Sequence, residues 1–208
     1  MPHLFTDRRG GASLGVYESL NLALHVGDDP TVVASNRTVI GAAQFMNQVH
    51  GDEIKVVDAI SSEIPTCDGL ITKTPNLLLA VMVADCIPLL LISDKAVAAV
   101  HVGRAGLVNK VALKALHQMR ELGAIDIHAV LGPSICGRCY EVPLELQQEV
   151  VAVHPRALST TSKGTPGLDL SAGLIADLAA DGVSYDASVI CTMEEPLYYS
   201  HRRDNPTG

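Results

Sequence analysis

The sequence predicts a mixed α/β domain, with sheets flanked by helices, and three features carry that expectation. Strand-like apolar runs alternate with segments whose apolar residues recur at helical spacing. No linker or internal repeat divides the 208 residues. Ser93-Asp94-Lys95 is short and polar, as a tight hairpin connection should be, which argues against a purely parallel βαβ fold. With 48% hydrophobic residues, a chain of this length can bury one substantial core, so a single compact domain over residues 1–208 is expected.

The elements follow in order. Asp29-Pro30 opens the first helix, with Asp29 as N-cap, Pro30 at the first helical position and Gly41 as the stop, which puts Arg37 in its last two turns. Leu77 to Val83 and Lys95 to Val100 are rich in Leu, Val and Ala, as strands covered on both faces should be, and Cys86 and His101 follow them. The longest apolar stretch, Leu77 to Ile92, is broken by Asp85 and Pro88 and is too short to span a bilayer comfortably, so it reads as core strands and not as an anchor. Val108, Val111, Ala112, Ala115, Leu116, Met119 and Leu122 share one helical face, and Gly123 closes that helix. Ile127 to Leu131 reads as a strand, Pro143 to His154 as a helix closed by Pro155, and Leu170 to Ala180 as a helix closed by Gly182. Ser188 to Cys191 reads as a short strand, and Thr160 to Gly167, built only of Ser, Thr, Lys, Gly and Pro, as a mobile loop.

A net charge of −8, with five Tyr, two Phe and no Trp, disfavours nucleic acid as a partner, because such binders need a basic face and usually stacking side chains. The start of the chain lacks the apolar core of a signal peptide, and five cysteines without a dense, even framework fit reduced thiols in the cytoplasm. A small-molecule partner and no membrane contact are expected. Arg8-Arg9 and Arg202-Arg203 are local basic pairs that could bind an anion or lie as solvated surface charge.

Three residues that end apolar runs could hold a metal: His50, Cys86 and His101. Two imidazoles and a thiolate suit a zinc site whose fourth position stays open for water or substrate. The gaps of 36 and 15 residues match no local zinc motif, so spacing alone leaves separate roles open. Cys136-Gly137-Arg138-Cys139 is a redox pair or half of a structural zinc site by pattern. With no second such pair, and Cys67 and Cys191 isolated in sequence, a reduced structural pair is expected. Tyr140-Glu141 beside it could reach the site.

A resemblance gathers these landmarks. Asn21-Leu22-Ala23-Leu24-His25-Val26-Gly27-Asp28-Asp29, Gln48-Val49-His50-Gly51, Asp68-Gly69-Leu70-Ile71-Thr72, Ala84-Asp85-Cys86-Ile87-Pro88, Val100-His101-Val102-Gly103, Gly132-Pro133-Ser134-Ile135 and Ser200-His201-Arg202-Arg203-Asp204 occur in one order along nearly the whole chain. In this the chain resembles the YfiH, or laccase-domain, family of purine nucleoside enzymes. The resemblance implies one α/β domain with mixed sheets and a metal site made by His50, Cys86 and His101. It implies phosphorolysis of adenosine, inosine or methylthioadenosine, adenosine deamination, or, under older labels, copper-dependent polyphenol oxidation. Some members are called peptidoglycan editing factors. Where relatives commonly read His-Ala-Gly-Trp-Arg-Gly, this chain reads His101-Val102-Gly103-Arg104-Ala105-Gly106. It also stops at Thr207-Gly208, before a final strand that relatives carry, so a clipped end is expected.

The chemistry sorts candidate residues further. Deamination needs a metal-activated water and an acidic proton shuttle, for which Asp85 is nearest in sequence; otherwise Asp85 is a turn carboxylate capping amides. Phosphorolysis needs a site for inorganic phosphate: Arg37, His25, Arg104 and Arg202 are the candidates, with Asn21 and Gln48 as neutral donors to sugar or base. Zinc is the expected metal, with copper as the alternative. Eight histidines are too few for a multicopper oxidase, but a single blue-type site with Met82 as axial ligand stays open. Two further readings use the same residues: a hydrolase with Cys86 as nucleophile and His101 or His50 as base, suited to peptidoglycan editing, and a non-enzymatic metal sensor closed by His25 as fourth ligand. The oligomeric state is not legible.

Overall fold

The computed structural model describes residues 3–204. Its centre is a six-stranded mixed sheet built around a hairpin of β5 (Ile87–Ile92) and β6 (Val97–Val102). The expected tight connection closes it: the Ser93 hydroxyl accepts from the Lys95 and Ala96 amides and donates to the Ala96 carbonyl. β5 pairs antiparallel with β7 (His128–Leu131), and β7 pairs parallel with the edge strand β10 (Ser184–Ala187). On the other side β6 pairs antiparallel with β3 (Gly69–Thr72), which pairs parallel with β2 (Ile54–Val56). Two small ladders lie outside the sheet: β1 (Ala43–Gln44) with β4 (Leu78–Leu79), and β8 (Leu158–Thr160) with β9 (Pro166–Leu168).

The apolar runs are continuous because the central strands are covered on both faces. Side chains alternate across β3, so Ile71 joins the main core while Leu70 packs with Met46 and Cys67 on the opposite face. The main core takes its helical layer from α2 (Arg104–Val108), α3 (Val111–Glu121), α4 (Leu144–Val153) and α5 (Leu170–Ala180). Leu116, Met119 and Leu174 are fully buried there against Leu89, Leu91 and Val100. The first helix, α1 (Pro30–Val39), forms as predicted: the Asp29 carboxylate accepts from the Thr31 amide, and Gly41 turns the chain away at φ 88°. A four-residue helix, α6 (His201–Asp204), ends the described chain.

Four expectations change. The helix predicted over 108–122 is two helices, because Asn109 closes α2 and Lys110, at φ 61°, starts α3 in a left-handed conformation while its ammonium bonds Asp177 of α5. The apolar spacing runs unbroken across this joint, so no pattern reveals it. The strand predicted over 77–83 is a ladder only at Leu78–Leu79; beyond it, Met82 is gripped by the Gln48 side chain, whose amide accepts from Met82 N at 2.9 Å and donates to Met82 O at 2.7 Å. Thr160 to Gly167 is not a free loop but the tip of the β8–β9 hairpin, tied by a 2.6 Å hydroxyl bond between Thr161 and Thr165. The strand expected at Ser188–Cys191 lies earlier, at Ser184–Ala187; an exposed edge strand carries the polar sequence Ser-Tyr-Asp-Ala and gives little apolar signal. No helix among the described residues is long and apolar enough to cross a membrane.

Candidate metal centre and active site

The β5–β6 register builds most of the site. Ile87 pairs with Val102 and Pro88 with His101, so Cys86, just before β5, faces Gly103, just after β6. His101 lies inside β6 and not beyond its end as expected from sequence. A side chain at 103 would intrude: a Cβ there would stand 3.1 Å from His50 Cδ2 and 3.2 Å from Cys86 Sγ. Donor atoms of His50, Cys86 and His101 all lie within 4.8 Å of one another. The two imidazole rings meet edge to face, 4.7 Å between centroids.

His50 comes from a separate loop, and one buried carboxylate holds it in place. Asp68, fully buried just before β3, accepts from the Val49, His50 and Gly51 amides at 3.3, 3.0 and 2.7 Å. His50 itself sits at φ 58°, which lets successive amides converge on one acceptor. Asp68 Oδ1 also accepts from His101 Nδ1 at 2.8 Å, which turns the other ring nitrogen of His101 toward Cys86. Burial pushes the Asp68 carboxyl up, but the bonds from His101 and the loop amides outweigh it and hold it below the usual carboxylate range. The motif Asp68-Gly69-Leu70-Ile71-Thr72 does not by itself assign Asp68 this role; the signal for it in the sequence is an Asp-Gly pair at the start of a largely apolar strand.

Electrostatics inside the cluster are strong. Burial pushes the Cys86 thiol up, yet its bonds to His101 and His50 prevail and bring it to about 7. Burial pushes His101 down, while Asp68 and Cys86 raise it to about 9. The ligand set fits a metal: two imidazoles and an easily ionised thiol, one imidazole fixed by a carboxylate through its far nitrogen, as metal-binding histidines usually are. Three protein donors leave a coordination position for water or substrate. Cys67, by contrast, is buried alone and pushed up to about 11, as an inert core thiol should be.

The other predicted residues divide. Asp85 is buried at φ 86°, and both its oxygens are engaged: Oδ1 accepts from the Thr192 hydroxyl and Oδ2 from the Arg202 amide, each at 2.7 Å. That is the arrangement of a turn carboxylate that anchors the segment leading through Cys86 into β5. Arg202 donates to the Glu141 carbonyl at 3.0 Å, and its guanidinium lies 5.2 Å from the Tyr140 ring centre. Tyr140 is pushed up by burial and by Cys86, and pulled down by Arg104 and Arg202, so its phenol lies within electrostatic reach of all three. Among the described residues, no carboxylate lies within ion-pair distance of the Arg37, Arg104 or Arg202 side chains.

Arg37 donates to the Leu22 carbonyl, stacks 3.8 Å over Phe45 and contacts the Met82 sulfur at 3.5 Å. Met82 therefore faces Arg37, and its backbone is the group that Gln48 grips. Asn21 is buried and spends its amide on Ala23 and Asp28. His25 is exposed and is not among the side chains that converge with the cluster. The structure also joins what sequence separated: Cys191, isolated in the chain, lies with Cys136 and Cys139.

Comparisons with known proteins agree with this frame. The family described as multi-copper polyphenol oxidoreductase laccase matches residues 2–208. A protein of Mycobacterium tuberculosis named purine nucleoside phosphorylase is 46% identical, over 98% of this chain and 87% of its own length. The crystal structure of a Neisseria meningitidis protein superposes with a TM-score of 0.87 at 31% identity, over 98% of this chain and 88% of that one. That of the Bacillus licheniformis protein YfiH gives 0.86 at 29%, over 97% and 86%.

Proposed function

The chain belongs to the multi-copper polyphenol oxidoreductase laccase family, and from that premise we propose that it is a zinc-dependent purine nucleoside phosphorylase with adenosine deamination as a secondary activity. One observation carries this choice: Arg104, directly after the Gly103 that abuts His50 and Cys86, and Arg202, 5.2 Å from the Tyr140 ring centre, have no carboxylate partners among the described residues. Two guanidinium groups that no carboxylate neutralises, Arg202 keeping one nitrogen on the Glu141 carbonyl, suit inorganic phosphate next to a cluster of metal-ligand type, because an Arg fork matches phosphate oxygens in charge and geometry.

In this reading phosphate and a purine nucleoside such as adenosine, inosine or methylthioadenosine yield free base and (methylthio)ribose 1-phosphate. Zinc on His50, Cys86 and His101 would supply a Lewis acid. Arg104 and Arg202 hold phosphate, whose charge offsets the positive charge that grows on the ribose as the bond to the base breaks. Tyr140, kept protonated, would donate a hydrogen bond to bound substrate. Asp85 is a positioning residue that holds the turn carrying Cys86 into β5, and Asp68 orients His101 and the His50 loop. Gln48 and Arg37 brace the neighbouring Met82 segment. A blue-type copper centre is the less favoured reading, because the Met82 sulfur that would serve as its axial ligand faces Arg37.

A second reading has its own observation. Without metal, a thiol brought to about 7 and hydrogen-bonded to two imidazoles is a nucleophile in waiting, which suits a cysteine hydrolase acting on peptidoglycan. Adenosine incubated with zinc-quantified protein, with and without phosphate and beside Cys86→Ala, separates the readings by chromatography. Phosphate-dependent adenine that vanishes in Cys86→Ala supports phosphorolysis; inosine without phosphate makes deamination primary. Neither product from zinc-loaded protein, together with rapid alkylation of Cys86 that zinc does not block, refutes the proposal in favour of the hydrolase.

A further inference from the structure

We propose that Cys136, Cys139, Cys191 and Glu194 form a second, structural metal site that takes a zinc-like divalent cation. The proposal is independent of the reaction at the His50, Cys86 and His101 cluster. Donor atoms of these four side chains all lie within 4.8 Å of one another. Three thiols and a carboxylate are a ligand set that zinc accepts in closed tetrahedral form, which asks for donor spacings of roughly 3.5–4 Å, so only a small inward movement is needed.

Local backbone geometry favours the same conclusion. Two chelating turns face each other, Cys136-x-x-Cys139 and Cys191-x-x-Glu194. In the first, the Cys139 and Tyr140 amides both bond the Cys136 carbonyl at 3.0 Å; in the second, the Glu194 and Glu195 amides bond the Cys191 carbonyl at 3.1 and 2.9 Å. The Cys136 amide donates to Cys191 Sγ at 3.3 Å, a bond that strengthens when the sulfur carries charge. Cys139 Sγ contacts Glu194 Oε1 at 3.5 Å, and Arg138 stands 3.6 Å from the same oxygen, where it offsets the negative charge of the ligand set. The first turn is tightly seated, since a Cβ on Gly137 would fall 2.6 Å from Ser159 Oγ and 2.7 Å from Asp169 Cβ. Coordination would replace the thiol protons, released to solvent, with metal–sulfur bonds.

The site would fasten the chain's last segment to the sheet beside the active cluster. The Ile135 amide, next to Cys136, bonds the Asp85 carbonyl at 2.9 Å, and the Thr192 hydroxyl, next to Cys191, bonds the Asp85 carboxylate. Both chelating turns thus bear on the residue that precedes Cys86.

Metal analysis of the whole protein, purified under reducing conditions with zinc, decides the matter. Wild type should hold about two zinc ions per chain, and Cys86→Ala and Cys191→Ala about one each. Cobalt-loaded Cys86→Ala should keep a strong thiolate-to-metal absorption band. One zinc in wild type and none in Cys86→Ala overturns the proposal, as does a cobalt-loaded Cys86→Ala protein without that band. A disulfide among Cys136, Cys139 and Cys191 in the reduced preparation also overturns it. Should Cys191→Ala fail to fold, the Cys86→Ala measurements decide alone.

Discussion

Replacing Asp68 by Asn removes one charge and keeps the side chain's shape, at the point where three loop amides and one imidazole converge. The oxygen of Asn can still accept from His101 and His50, but its NH2 group then faces the amides of Gly51 and Val49, donor against donor, in a fully buried place. Bonds to a charged group contribute ~1.5–3 kcal/mol and an orphaned buried donor costs ~1–3 kcal/mol, so a total loss of about 3–5 kcal/mol is expected. For a domain of this size that lowers Tm by on the order of 10 °C. Because the same carboxylate orients His101, zinc affinity should also fall by about 10–100-fold. Thermal unfolding of the metal-stripped protein reads the first effect, and chelator competition reads the second. A variant that melts within about 2 °C of wild type and binds zinc within about 3-fold of it would refute the idea that Asp68 organises the site.

Three further outcomes follow from the same geometry. Metal affinity should rise with pH: below about 7 both Cys86 and His101 must lose protons to bind, between about 7 and 9 only His101, and above about 9 neither, so affinity should climb steeply, then gently, then level; titrations in buffers of different ionisation heat count the protons released. Gly103→Ala puts a methyl 3.1 Å from His50 and 3.2 Å from Cys86, so strain of ~1–3 kcal/mol should fall on the ligands and weaken zinc binding about 10-fold, visible by competition while the far-ultraviolet spectrum stays unchanged. Leu116→Ala empties a fully buried position between α3 and the sheet and should cost ~2–5 kcal/mol in urea unfolding with zinc stoichiometry preserved; a smaller cost with lost zinc would mean that core and site are not separable.

The readings that survived contact with the fold are those that rest on local chemistry. Asp29-Pro30 could start a helix in any context, because the cap and the fixed φ of proline act within one turn. Leu170–Ala180 was legible for the same reason, and the Asp169 carboxylate that caps it accepts from the Ala172 amide. The hairpin at Ser93-Asp94-Lys95 was legible because a short polar link leaves little but an antiparallel turn. The exposed strand Ser184–Ala187 was not, since its pairing comes from β7 and its side chains carry no apolar alternation.

By itself, then, the sequence determined the α/β class, most helices and the central hairpin, and its ordered motifs implied, through family resemblance, the His50, Cys86 and His101 set that the fold brings together. Tertiary structure alone decided who supports that set. Asp68 reaches His101 across 33 residues and Arg202 reaches Asp85 across 117, partnerships that no periodicity encodes. The joining of Cys191 to Cys136 and Cys139 is of the same kind. Local signals act within a turn of the chain, whereas buried polar groups are paired by whichever distant segment the packed sheet brings against them, and that requirement becomes visible only once the core has closed.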